Sequence, residues 1–163
     1  MSDTLYDEIQ REIAKYPDRR SAILPALRHA QEHYGWLSPE ALEAVADGLD
    51  LSPARCLSVA SFYDMFFLQP VGEHVVEVCT NLSCALIGAD RLLKEFEREL
   101  DVTAPGTSAD GKITLRCVEC MGGCGWGPVV SVDEQYEEHF KIEDVAPLLE
   151  RLRSTSRPSE SHA

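Results

Sequence analysis

The chain has 163 residues and is 44% hydrophobic, enough for one domain or two small ones with a real core. Its 28 Asp and Glu against 15 Lys and Arg leave a formal net charge of −13, which argues against nucleic acid, whose phosphates demand basic patches. No uncharged apolar run is long enough to span a bilayer, and the acidic opening (Met-Ser-Asp-Thr-Leu-Tyr-Asp-Glu) has neither region of an export signal, so a cytoplasmic chain with no direct membrane insertion is expected.

The first ~70 residues read as short helices. Leu5, Ile9 and Ile13 recur at a spacing of four, and Pro17 ends that helix. Ser21 is the expected cap of the next, with Pro25 in its first turn, Leu24, Leu27 and Tyr34 along one side, and Gly35 as the stop. Ser38-Pro39 opens a third helix with Leu42, Val45 and Leu49 inward. Ser52-Pro53 opens a fourth with Val59 and Phe62 inward. In both, Ser caps and Pro takes the first helical position, where its missing N–H costs nothing. The aromatic run Ser-Phe-Tyr-Asp-Met-Phe-Phe (61–67) reads as core, with a partner surface as the alternative.

The period changes after Gln69-Pro70-Val71-Gly72. Residues 74–79 (H-V-V-E-V-C) predict a strand that ends on a thiol. A loop holds Cys79 and Cys84 (C-T-N-L-S-C), and Ala89, Leu92, Leu93, Phe96 and Leu100 mark a helix. A loop with Pro105-Gly106 and Asp110-Gly111 leads to an alternating strand over 112–118 and to the glycine-dense run Cys120 to Gly127 (C-M-G-G-C-G-W-G). Residues 129–133 and 136–140, joined through Glu134-Gln135, predict a hairpin. Val145, Leu148, Leu149 and Leu152 close the domain as a helix, and the polar residues 154–163 are expected to be disordered. The order β-α-β-β-β-α makes strands 74–79 and 112–118 parallel through a right-handed crossover, delivering both cysteine pairs to one edge.

Six cysteines without an export signal point to a reducing compartment, where thiols bind metal or do redox work. Four of them, Cys79, Cys84, Cys120 and Cys124, form two close pairs, and soft thiolates suit iron with sulfide, or zinc. Structural zinc favours C-x2-C knuckles, so spacings of x4 and x3 suit iron–sulfur better, with a colourless zinc-binding interaction module as the rival reading. A thiol–disulfide enzyme would need C-x-x-C at the start of a helix, which neither pair supplies. Cys117 makes C-x-x-C with Cys120 but lies an odd number of strand positions away, so it is read as a structural or surface thiol. Cys56, inside the fourth helix, reads as a small core residue. His29 and His33 are i, i+4 on one helix and read as a solvated face. Neither G-x-G-x-x-G nor G-x-x-x-x-G-K-[ST] occurs, and no Ser-His-Asp or paired-carboxylate arrangement stands out. No catalytic residue is therefore assigned.

The stretches R-S-A-I-L-P-A-L (20–27), G-W-L-S-P-E (35–40), V-A-S-F-Y-D-M-F (59–66), V-C-T-N-L-S-C (78–84), D-G-K-I-T-L (110–115) and V-E-C-M-G-G-C (118–124) carry a family pattern. From about Tyr16 to Leu152 the sequence resembles the small [2Fe–2S] subunit of the NADH-oxidising module of respiratory complex I, the 24-kilodalton type. The resemblance implies an α+β chain: an N-terminal helical bundle over 1–70, then a thioredoxin-like domain over 71–153. It implies one [2Fe–2S] cluster with Cys79, Cys84, Cys120 and Cys124 as cofactor-binding and metal ligands. It also implies an electron relay within an NADH:quinone oxidoreductase. FMN and NADH belong, on this resemblance, to a flavin-bearing, NADH-binding partner subunit, on a peripheral arm at the cytoplasmic face of the membrane. NAD-reducing hydrogenases and NAD-dependent formate dehydrogenases share this subunit type and stay open. Two departures stand out: Gly125-Trp126-Gly127-Pro128 replaces a stretch that commonly ends in Ala-Pro, and Cys117 occupies a position that is usually not cysteine.

Overall fold

A computed structural model describes residues 3–156, with no side chain described at Asp3. The chain divides into two compact units at the Pro70–Val71 step.

The first unit is helical: α1 (Asp3–Ile13), α2 (Ile23–Tyr34), α3 (Pro39–Leu49) and α4 (Pro53–Ala60). Two starts follow the expected local chemistry. Ser38 accepts a hydrogen bond from the Ala41 N–H at 3.1 Å and Ser52 one from the Arg55 N–H at 3.3 Å, each with Pro in the first turn. Gly35 ends α2 at φ 77°, a left-handed value that glycine adopts without strain. Leu5, Ile9, Leu27, Val45 and Leu49 are fully enclosed in one apolar cluster, together with Cys56.

Three sequence expectations need correction here. Ser21 caps nothing. Asp18 accepts from the Arg20 N–H at 2.9 Å and starts a 3-10 turn over Arg19–Ala22 that runs directly into α2. Phe62 is not inward but 79% exposed, because α4 stops at Ala60 and turns Cys56 and Ala60 to the core. Within 61–67 only Phe66 is buried, and Tyr63 and Met65 are exposed. Besides the packing of Phe66, that segment is held by the Gln31 side chain, which accepts from the Phe67 N–H at 2.7 Å and donates to the Met65 carbonyl at 3.0 Å. His29 and His33 do not form a merely solvated face either. Their ring nitrogens lie 3.4 Å from Glu12 and 2.8 Å from Glu8, carboxylates of α1.

The second unit is a five-stranded mixed sheet with helices. Its elements are β1 (His74–Cys79), α5 (Leu82–Leu86), α6 (Ala89–Leu100), β2 (Gly106–Thr107), β3 (Ile113–Val118), β4 (Val130–Val132), β5 (Gln135–Glu137) and α7 (Val145–Ser154). The strand order is β2-β3-β1-β4-β5. β1 and β3 are parallel in the register His74↔Ile113 through Cys79↔Val118, as expected. Val76, Val78, Leu115 and Val130 from the strands, Phe96 and Leu92 from α6, and Leu149 from α7 share one apolar cluster.

Here too the structure adds to the sequence reading. The segment after Cys79 is not all loop, since it contains α5. The loop before β3 contains the two-residue strand β2, paired to β3. The hairpin turns one residue earlier than expected, at Asp133-Glu134, with φ of 49° and 69°, the left-handed pair of a tight two-residue turn. Asp133 is drawn there by distant partners: Oδ1 accepts from the Val75 N–H at 2.9 Å, and Oδ2 lies 2.6 Å from Nδ1 of the buried His74. His74 Nε2 donates to the Thr155 carbonyl at 3.0 Å, which ties the end of α7 to the start of β1. The second hairpin strand stops at Glu137 instead of reaching 140, because His139 takes φ 50° and donates its N–H to the Trp126 carbonyl at 2.7 Å. Ser154, expected in the tail, is the last residue of α7, and 157–163 lie outside the described residues.

Candidate metal centre

The parallel pairing of β1 and β3 sends both strands out at one edge, and each runs into a cysteine pair. Cys79 is the last residue of β1. Its N–H donates to the Val129 carbonyl at 3.1 Å, so β1 is held on the far side as well. Cys84 stands on α5, which starts because Asn81 Oδ1 accepts from the Leu82 N–H at 2.8 Å and the Asn81 carbonyl from the Ala85 N–H at 2.9 Å. Cys79 and Cys84 are 3% and 2% exposed and pack with Ala89, Val129 and Met121 in a small apolar cluster of their own.

Cys120 and Cys124 lie beyond β3 in an irregular loop, and both are exposed. Cys120 Sγ accepts from the Gly122 N–H at 3.4 Å, within reach of a sulfur hydrogen bond. Gly122 makes that turn at φ 80°, a value that strains a side-chain-bearing residue. Gly127 approaches the other pair. A Cβ there would sit 3.2 Å from Cys84 Sγ and 2.8 Å from Ile87 Cδ1.

Electrostatics tie three of the four sulfurs together. Burial pushes the Cys84 thiol up, a hydrogen bond from the Val129 backbone pulls it down, and the neighbouring Cys79 and Cys124 sulfurs push it further up. Cys84 thus senses both its own partner Cys79 and Cys124 of the other pair, while the Cys120 contact is made inside its own loop. Among the described residues no three His, Cys, Asp or Glu side chains surround a point as they would one ion. A [2Fe–2S] group asks for something else, four thiolates distributed over two irons. All six cysteines are free thiols, and the two close pairs supply that donor set. A backbone N–H already aimed at sulfur and a glycine pressed against Cys84 suit a bulky anionic group, so the residues fit it.

The chain belongs to the thioredoxin-like [2Fe-2S] ferredoxin family. The family model matches residues 9–153. Its cofactor is accordingly a [2Fe–2S] cluster, and the α+β architecture is that family's. An NADH-quinone oxidoreductase subunit of Rhizobium meliloti (strain 1021) is 38% identical over 154 residues, covering 94% of this chain and 92% of the relative. An NADH-quinone oxidoreductase subunit of Mycobacterium tuberculosis (strain ATCC 25618 / H37Rv) is 40% identical over 142 residues, 87% of this chain but 56% of that longer protein. In three dimensions the chain is similar to an air-oxidized NAD+-reducing [NiFe]-hydrogenase, with a TM-score of 0.72 at 19% identity, covering 81% of this chain and 23% of the other. That likeness speaks to fold.

The remaining thiols stand apart. Cys56 is wholly enclosed in the helical unit, and its burial pushes the thiol up. Cys117 is exposed on β3. Sequence reasoning passed over Asn81, Glu119, Val129 and Ile87, which shape the site without being ligands. Asn81 alone had a local signal, an Asn preceding a short apolar stretch. A groove of about 550 Å³, lined by Ile87, Arg91, Pro128, Phe140 and Ile142 among others, borders the site without containing a cysteine. Among the described residues no helix is long and apolar enough to cross a membrane.

Proposed function

We propose that this chain is an electron-transfer subunit of an NADH:quinone oxidoreductase, holding one [2Fe–2S] cluster on Cys79, Cys84, Cys120 and Cys124. The observation that supports the reading is the parallel pairing of β1 and β3, which run into the two cysteine pairs at the same end of the sheet, within a chain matched to the family over residues 9–153. Bound, the cluster supplies one-electron oxidation and reduction. The chain's own part is to hold it. The ends of β1 and α5 fix the buried pair, the glycine loop lets the exposed pair reach in, and the Gly122 N–H stabilises charge on Cys120 Sγ. The unit over 71–153 holds this site, and the helical unit to Pro70 supplies no ligand.

Relatives at 38% and 40% identity that carry the NADH-quinone oxidoreductase name favour that complex over the hydrogenase, which contributes a fold at 19%. The partner is a flavin-bearing, NADH-binding subunit in a peripheral arm, since hydride chemistry needs a two-electron cofactor. Oxygen-protected purification followed by iron and acid-labile sulfide analysis tests the reading. About two of each per chain, with a paramagnetic signal on reduction, is expected. Stoichiometric zinc, or no iron and no sulfide, overturns it.

A further inference from the structure

We propose that Asn81 and Glu119 form a positioning contact that sets the spacing of the two cysteine-bearing loops and thereby how firmly the cluster is retained. This rests on the ligand reading above. From the last ladder pair, Cys79↔Val118, onward, three consecutive residues reach across between the loops. Cys79 Sγ lies 3.7 Å from the Glu119 carbonyl. Thr80 donates twice to the Val118 carbonyl, from its N–H at 2.9 Å and from Oγ1 at 3.2 Å. Asn81 Nδ2 donates to Glu119 Oε2 at 3.5 Å.

The last of these contacts differs in kind. The first two hold strand ends, but the Asn81 side chain touches both loops at points adjoining ligands. Its Oδ1 caps α5, which carries Cys84, and its Nδ2 reaches the residue immediately before Cys120. Few side chains can do both. An amide presents an acceptor and a donor on one short stem, whereas a carboxylate offers only acceptors and a serine is too short to reach across. The donor also matters electrostatically. Four thiolates and a Glu119 carboxylate concentrate negative charge at one edge, and the amide N–H₂ is the group that faces that carboxylate. Asn81→Asp keeps the cap, since Asp is as good an N-cap as Asn, but sets two carboxylates against each other across the loops.

That separation of roles makes the test. Full-length chain is loaded with iron and sulfide, and bleaching of its visible absorbance by an iron chelator is timed for wild type, Asn81→Asp, Glu119→Gln and the double variant. Asn81→Asp is expected to lose the cluster roughly three- to fivefold faster, the scale of an exposed charge contact turned repulsive. It should also alter the g-anisotropy of the reduced cluster, while thermal unfolding of the metal-free chain stays put because the cap survives. Glu119→Gln keeps an acceptor for Nδ2 and should stay within about twofold of wild type. The double variant sets a Gln donor against the new carboxylate at position 81. It should return toward wild type, because the pair and not either residue is what matters. A wild-type chain that loads no cluster overturns the ligand reading. A loaded wild type matched by Asn81→Asp in bleaching and g-values overturns the positioning role alone, as does a double variant no better than Asn81→Asp.

Discussion

Cys79 and Cys84 are set by packing: one ends a six-residue strand, the other rides a capped helix, and both are buried. Cys120 and Cys124 are set by backbone freedom: they lie exposed in a loop whose turn at Gly122 needs a left-handed φ. One pair is held by a strand end and a helix, and burial pushes the Cys84 thiol up. The other pair is open to solvent and owes its course to a glycine turn rather than to packing. The site thus joins a buried, packed half to an exposed half shaped by glycine.

The comparison is tested hardest by removing one proposed ligand from each half. Both Cys79→Ser and Cys124→Ser should abolish the normal visible spectrum, the largest effect available. A Cys124→Ser chain with an unchanged spectrum would falsify the ligand assignment. The metal-free proteins should then part company. Cys79→Ser places a hydroxyl in an apolar cluster and should cost about 1–3 kcal/mol in urea denaturation. Cys124→Ser, on the exposed loop, should stay within about 0.5 kcal/mol of wild type. Equal losses would mean that the two halves are not built differently.

Next in size is the seam where the halves touch. The Cβ of Gly127→Ala would stand 2.8 Å from Ile87 Cδ1 and 3.2 Å from Cys84 Sγ, so something must move. Ile87 is 54% exposed and can swing away, whereas Cys84 is fixed in α5. The expected cost is about 1 kcal/mol, at the low end for overpacking, together with faster cluster loss. Gly125→Ala is the control: nothing lies within 4 Å of its new Cβ, and no change in cluster retention is expected. Identical behaviour of the two variants would remove Gly127 from the site's shaping.

Much of this was written in local chemistry. Ser38-Pro39, Ser52-Pro53 and Gly35 each act within one helical turn, so the sequence pattern suffices to place them. The parallel β1–β3 pairing follows from a strand–helix–strand crossover, and with it the delivery of both cysteine pairs to one end of the sheet. What escaped was governed by distant partners or by shortness. The Asp133-Glu134 turn is fixed by bonds to Val75 and His74, 58 and 59 residues away in the chain. Five residues of α5 are too few for periodicity to reveal. Phe62 follows the stripe of its helix only until the helix stops two residues before it. That one cysteine pair is buried and the other exposed was equally invisible, because C-x4-C and C-x3-C say nothing about what covers them.

The smallest effects belong to the two thiols outside the site, and they repeat the contrast of buried and exposed. In the loaded protein Cys117 should react readily with an alkylating agent near neutral pH and Cys56 should not, as read by mass spectrometry of the labelled peptides. The pH dependence follows from Cys56, whose burial raises its pKa above that of a free thiol. The folded state then holds that proton more tightly than the unfolded chain. The contribution to stability is complete below the unfolded thiol value of about 8.5 and is lost as pH rises through the higher folded value. Labelling of Cys56 should therefore stay slow well above a pH of about 8.5 and quicken only as the helical unit opens, while Cys117→Ser leaves the cluster spectrum unchanged. Equal labelling rates for the two would show that the helical unit opens too readily for burial to protect its thiol.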